Sequence, residues 1–183
     1  MAKCYYDTGV FGYFLFIGDW DNEYSPKNVE SAYTSTFCNE ELIYSYIKKG
    51  DFSDYGIKIS FVQLIDKVIS VNALFILDDI KLSEIRQKFI YMMSALAQNG
   101  IDLISDFVEF KDKYNKNKLK PPNGMDWLHL AIAELLGCSI FLTTDKGFRY
   151  LSKVWSYIGL NKVKRIIILS TDKLEKVDEV LLE

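Results

Sequence analysis

The sequence predicts an α/β protein, a three-layer α/β/α sandwich around a mainly parallel central sheet, and three observations carry that expectation. Short apolar or aromatic runs stop abruptly at an aspartate in Lys3–Asp7 and again in Ser139–Asp145. Stretches with helical periodicity separate these runs. Strand and helix signals also alternate along most of the chain instead of falling into two blocks, which is the pattern of a sheet covered on both faces by its crossover helices.

Taken in order, Lys3–Tyr6 reads as the first strand and Thr8–Ile17 as a helix packed by its own aromatics. Asp19–Lys27 is a polar loop with Ser25-Pro26 as a turn signal. Asn28–Lys49 reads as a helical stretch with a break near Cys38-Asn39, ended by Gly50, and Asp51–Gly56 as loop. Ser60 is placed to cap a helix over Phe61–Val71, with Val62, Ile65 and Ile69 on one stripe. Ala73–Leu77 reads as a short buried strand running into Asp78-Asp79. Ser83–Gln98 is a helix closed by Asn99-Gly100, and a second helix follows over Asp102–Tyr114. Lys111–Gly124 is loop by its lysine, asparagine and proline content. Met125–Leu136 is a helix stopped by Gly137, Ser139–Thr143 a strand, Lys146–Ile158 a helix and Lys164–Leu169 a last strand. In the tail, Thr171–Leu182, the spacing of Leu174, Val177 and Leu181 predicts a helix.

A chain of 183 residues suits one core better than two, so the expectation is one domain with a core over about residues 3–169 and a tail helix at about 171–182. No run of about 18 uninterrupted apolar residues is present to span a membrane, and Val10–Gly18, the most apolar stretch, reads as a buried helix. Cys4, Cys38 and Cys138 are odd in number and widely spaced, which points to a reducing cytoplasm. The single histidine, His129, rules out a multi-histidine zinc site. A net charge of −3 argues against a surface coated in positive charge for nonspecific nucleic-acid binding, though not against a local basic patch.

Asp7, Asp66, Asp126 and Asp145 are the candidate site residues. Asp7 and Asp145 end strands, and Asp126 opens a helix. Right-handed crossovers bring the carboxyl ends of parallel strands to one rim, where open α/β sheets hold their ligands. Several carboxylates in one crevice repel one another unless a hard cation holds them, and an oxygen-only donor set suits Mg²⁺ or Mn²⁺. Asp7, Asp126 and Asp145, each taken alone, also read as turn formers or helix caps.

Three motifs give the chain a resemblance to PIN-domain proteins: the strand into Asp7-Thr8-Gly9-Val10, the helix Asp126-x-x-His129-x-Ala131-x-Ala133, and Phe141-Leu142-Thr143-Thr144-Asp145-Lys146-Gly147-Phe148 after a helix stop at Gly137. The resemblance covers Lys3 to about Leu169. That family usually adds a glutamate six residues after the serine of an Ile-Ser or Val-Ser step. Here Ile59-Ser60 leads to Asp66, a departure in residue type, with Glu40 or Glu41 as the alternatives.

The resemblance implies a metal-dependent endoribonuclease, commonly the toxin of a VapC-type toxin–antitoxin pair, with an antitoxin protein as a partner and a homodimer as the usual assembly. In that reading Asp7, Asp126 and Asp145, with Asp66 behind them, hold one or two Mg²⁺ or Mn²⁺ ions that activate water and neutralise charge on the phosphate. His129 shares a helical face with Asp126 and either supports the site or is a buried polar residue bonded to backbone. Thr143 and Thr144 either hydrogen-bond a metal-bound water or fix the Asp145 carboxylate, or simply end a strand. Lys116, Lys118 and Lys120, with Tyr114, either draw in the RNA backbone or form a solvated linker. Two other readings stay open: a catalytically weak PIN-like module that binds RNA or protein, and a nuclease acting on DNA flaps.

Overall fold

Alternate residues of three strands face two different apolar layers. Tyr5, Phe141, Ile166 and Ile168 belong to one, and Cys4, Tyr6, Leu142, Ile167 and Leu169 to the other, the period-2 pattern of strands buried on both faces. The computed structural model of the chain describes residues 2–16, 18, 20–49, 59–102 and 122–182. Its central sheet contains β1 (Lys3–Tyr6), β2 (Ser31–Thr34), β3 (Ile76–Leu77), β4 (Ile140–Thr143), β5 (Arg165–Leu169) and β6 (Lys176–Leu181), in the order β3-β2-β1-β4-β5-β6. All neighbours are parallel except β5 and β6.

The helices are α1 (Thr8–Phe16), α2 (Thr36–Lys49), α3 (Phe61–Asn72), α4 (Leu82–Gln98), α5 (Gly124–Leu135) and the single turn α6 (Leu151–Val154). Ile85, Met92 and Leu96 of α4, Trp127, Leu130 and Ile132 of α5, and Leu151 and Val154 of α6 cover the Tyr5 face of the sheet. Val10–Phe16 of α1, Cys38 and Leu42 of α2, and Leu64 and Val68 of α3 cover the Tyr6 face. The protein is therefore a three-layer α/β/α sandwich, as its sequence pattern predicts. Phe11, Tyr13, Phe14 and Phe16 are core residues, and α1 has no polar face because it is buried all round. Among the described residues no helix is long and apolar enough to cross a membrane.

Four local expectations need correction. The stretch read as one helix over Asn28–Lys49 begins with the strand β2, and α2 starts only at Thr36. The segment Ala73–Leu77 yields two strand residues at the sheet edge, Ile76 and Leu77, and both are exposed rather than buried. Lys146–Ile158 is not one α-helix but a 3₁₀ stretch (Lys146–Tyr150), the α6 turn and a second 3₁₀ turn (Trp155–Tyr157). The tail helix is the strand β6, antiparallel to β5: pairing with β5 overrides the helical spacing, and Val180 and Leu182, two residues apart, are buried while Val177 and Leu181 are exposed. Leu174 takes the left-handed φ of 51° in the turn that reverses the chain between those strands. The expected helix over Asp102–Tyr114 and the lysine-rich loop lie outside the described residues, save Asp102 and Pro122–Gly124.

One buried carboxylate ties a loop to the α5 layer. Glu134, 7% exposed, accepts the backbone N–H groups of Asn161, Lys162 and Val163 at 2.7, 2.8 and 3.0 Å, with Lys88 Nζ at 3.8 Å. Hydrogen bonds to a charged acceptor contribute more than neutral ones, and three donors would lose their partner together. Glu134→Ala is expected to cost about 2–4 kcal/mol, read as a lower thermal-unfolding midpoint; a variant as stable as the parent contradicts this anchoring role.

Candidate active site

The chain leaves β1 toward β2 on one side of the sheet and returns to β4 on the other side of β1. The crevice between the carboxyl ends of β1 and β4 is thus a topological switch point, where neighbouring connections diverge and leave room for a ligand. A cavity of about 230 Å³ opens there. It is lined by Asp7, Thr8 and Gly9 at the β1–α1 junction, Glu41 and Ser45 of α2, Asp126 and His129 of α5, and Thr144 and Asp145 after β4. A second cavity, about 270 Å³, is lined by Phe14, Gly18, Ser25, Pro26, Lys27 and Leu74, and none of these described lining residues carries a carboxylate side chain.

Three of the four sequence candidates meet in the acidic cavity, and each also has a local capping role. Asp7 begins α1: its Oδ1 accepts Val10 N at 3.1 Å and its carbonyl accepts Phe11 N at 2.8 Å. Asp126 closes a capping box with Asn123, whose backbone N–H donates to Asp126 Oδ2 at 2.5 Å while the Asn123 side chain accepts Asp126 N. Asp145 caps the 3₁₀ stretch after β4, its Oδ1 accepting Gly147 N at 2.7 Å. A cap engages one carboxylate oxygen in each case, so capping and a shared site are compatible here. Helix N-termini also place partial positive charge beside these acids.

Asp66 does not join them. It sits exposed on α3, outside the cavity lining, and its backbone carbonyl accepts Ser70 Oγ. Glu41 is the fourth acid of the cavity, and the exposed Glu40 is not part of the lining. The sequence carried a usable signal for Glu41. It lies six residues after Ser35, which directly follows the strand β2, whereas Ser60 is the N-cap of α3. With β2 read as helix, that second serine was hidden. Lys116, Lys118, Lys120 and Tyr114 lie outside the described residues.

The threonines divide the supporting work. Thr143 Oγ1 donates to Asp7 Oδ2 and accepts Asp145 N at 2.9 Å, so one hydroxyl links two acids. Thr144 lines the cavity and presses on Gly9, where an added Cβ would come within 2.2 Å of Thr144 Oγ1. Gly9→Ala is therefore expected to destabilise by about 1–3 kcal/mol. Thr144→Ala should restore much of that loss in the double variant, a coupling measurable by a thermal-unfolding mutant cycle; additive effects would refute the contact.

His129 is buried and spans the site. Its Nδ1 lies 2.7 Å from the hydroxyl of Tyr5, its Nε2 is 3.0 Å from Glu41 Oε2 and 3.2 Å from Thr8 Oγ1, and Thr8 Oγ1 itself donates to Glu41 Oε2. It bonds side chains here, not the backbone.

The electrostatics separate the acids. Burial pushes Asp7 up to about 6, against the pull of its Thr143 and Val10 hydrogen bonds. Burial, with the charges of Asp145 and Asp7, pushes Asp126 up to about 7 despite the Asn123 hydrogen bond. Asp145 is raised by burial, which its bonds to Gly147 and Asp126 only partly offset. Burial would also raise Glu41, but the hydrogen bond and charge of His129, and the Thr8 bond, outweigh it and hold this carboxyl below its ordinary value. At His129 burial disfavours the imidazolium, and the facing Cys38 and Glu41 outweigh that and raise its pKa.

A hard divalent cation fits the chemistry of this donor set: four carboxyl groups and threonine hydroxyls, all oxygen, with three of the acids costly to ionise without a nearby positive charge. Among the described residues no three histidine, cysteine or acidic side chains are already drawn together closely enough to hold one ion. In comparisons with known proteins the chain matches no family model and no curated protein.

Proposed function

We propose that the protein is a Mg²⁺- or Mn²⁺-dependent endoribonuclease that hydrolyses RNA phosphodiester bonds in this cavity. The observation that carries the reading is the convergence of Asp7, Glu41, Asp126 and Asp145, from four separate parts of the chain, at the switch point of a parallel sheet. These four residues would hold the ion. A divalent ion bound there supplies activation of water and neutralisation of charge on the reacting phosphate. The remaining work falls to the protein: Thr143 fixes Asp7, Asn123 N fixes Asp126, Gly147 N fixes Asp145, and Thr8 with His129 fixes Glu41.

The resemblance to PIN-domain proteins, rather than the cavity, selects RNA as the polyanion. The same resemblance supports two finer parts of the reading, a toxin paired with an antitoxin protein and a homodimer, while the three free cysteines suit a reducing cytoplasm. Lys116, Lys118 and Lys120 precede Asp126 in sequence and are suited to offset the repulsion between an acidic cavity and an RNA backbone.

One observation favours a second reading, a catalytically weak module that binds RNA or protein: among the described residues no three candidate ligands are close enough to share an ion. Incubation of the purified protein with an RNA pool and with a flap DNA in Mn²⁺ separates the possibilities. The proposal expects cut RNA and intact DNA. Cut flap DNA with intact RNA favours the flap nuclease, and RNA bound but uncut in any metal favours the binding module.

A further inference from the structure

We infer that His129 is a positioning residue, holding the Glu41 carboxylate in the acidic cavity from a ring that is itself fixed by the buried hydroxyl of Tyr5. This rests on the metal-dependent reading above and adds to it a chain of three side chains that orients one ligand.

The geometry runs outward from the core. Tyr5 is fully buried in β1, its ring stacked on Phe141 of β4 with centroids 5.5 Å apart and planes 9° from parallel. The phenol is thus immobilised on the sheet itself. Its hydroxyl meets His129 Nδ1 at 2.7 Å, and the opposite ring nitrogen meets Glu41 Oε2 at 3.0 Å. An ionised carboxylate only accepts hydrogen bonds, so Nε2 is the nitrogen that carries the hydrogen toward Glu41. Nδ1 then accepts from the Tyr5 hydroxyl in the neutral ring or donates to it in the charged one, and either way the ring cannot turn without losing a buried partner.

Glu41 needs such a support more than the aspartates do. Each aspartate has a backbone N–H on one oxygen: Val10 for Asp7, Asn123 for Asp126 and Gly147 for Asp145. Glu41 sits on α2 with a longer side chain, and its hydrogen bonds come from the side chains of Thr8 and His129. Partners behind a ligand typically change metal affinity or activity about 10–100-fold when removed.

The test compares Mn²⁺ affinity, by electron paramagnetic resonance of the free ion, in the wild type, Tyr5→Phe, His129→Gln and His129→Leu, with thermal unfolding as a check on folding. Gln keeps an N–H donor near the Nε2 position, and Leu keeps bulk alone. Mn²⁺ binding about 10-fold weaker in His129→Leu, a smaller loss in Tyr5→Phe, and recovery in His129→Gln are expected; a purely structural role would lower the unfolding midpoint without this ordering. A second readout is independent of metal. His129 is the only histidine, so a histidine-selective ¹⁵N spectrum contains one ring, and its Nε2 signal should carry a proton and shift in Glu41→Gln. Wild-type Mn²⁺ binding with unchanged affinity in His129→Leu, or an Nε2 signal indifferent to Glu41→Gln, overturns the inference alone. A wild type that binds no Mn²⁺ overturns the metal reading, and this inference with it.

Discussion

Glu41→Gln is expected to slow metal-dependent RNA cleavage by about 100-fold or more, because it alters a proposed ligand itself and loss of a mere partner behind a ligand already costs about 10–100-fold. Gln matches Glu in size and keeps an acceptor for Thr8 and His129, so the variant should fold. What it lacks is the negative charge that His129 and Thr8 keep ionised in the cavity. Asp66→Asn, by contrast, alters an exposed position on α3 outside the lining and should leave the rate within about twofold of wild type, as surface substitutions usually do. Single-turnover cleavage at saturating Mn²⁺ compares the two. The reverse result, an active Glu41→Gln beside an inactive Asp66→Asn, would return the fourth acid to Asp66.

The second large effect is on stability. Asp7 and Asp126 have folded pKa values of about 6 and about 7, above the ordinary carboxylate value. Between the unfolded and folded values the native chain therefore binds more protons than the unfolded one. Their stabilising contribution is complete below about pH 4 and is lost as pH rises through about 6 and 7. Glu41, held low, acts in the opposite sense, and its contribution disappears only as pH falls through its own depressed value. In metal-free buffer the protein should lose on the order of 2 kcal/mol between about pH 5 and about pH 8, a figure discounted because Asp126 is only partly buried. For a chain of this size that is a fall of about 4–8 °C in the unfolding midpoint.

Two accompanying results make the cause specific. Asp126→Asn retains an acceptor for Asn123 N while removing the repelled charge, so it should raise the midpoint at about pH 8 and flatten the pH profile. Saturating Mn²⁺ should stabilise the wild type more at about pH 8 than at about pH 5, where protons compete for the same oxygens. A midpoint that climbs steadily from pH 5 to 8 without metal would contradict the assignment of raised carboxyls.

The fold was legible wherever tertiary pairing agreed with local pattern. The runs ending at Asp7 and Asp145, the Ser60 cap of α3, and the stop at Gly137, with φ of 70°, all appear where the residues place them. It was illegible where a short strand takes its identity from a neighbour. Ser31–Thr34 has four residues and lies almost against a helix, and its pairing with Lys3–Tyr5 on one side and Ile76–Leu77 on the other makes it a strand. Leu174, Val177 and Leu181 have helical spacing, yet β5 offers an open edge that the tail occupies instead. Misreading β2 carried over to the site. Ser35 and Ser60 both precede an acid by six residues, and Ser35 directly follows a strand, so the missed strand moved the fourth acid from Glu41 to Asp66. Asp7, Asp126 and Asp145 were accessible because each also marks the start of a helix or 3₁₀ turn. The buried link from Tyr5 through His129 to Glu41 joins residues 124 and 88 positions apart, and no local pattern reports it.

Cleavage of a mixed RNA pool by the purified protein in Mn²⁺, beside an EDTA control and the Asp126→Asn variant, is the first measurement to make on the acidic cavity. A metal-dependent ribonuclease gives cleavage that disappears with EDTA, returns when Mn²⁺ is restored, and is absent in Asp126→Asn although that variant is folded. Cleavage that survives both chelation and Asp126→Asn would contradict the metal-dependent reading.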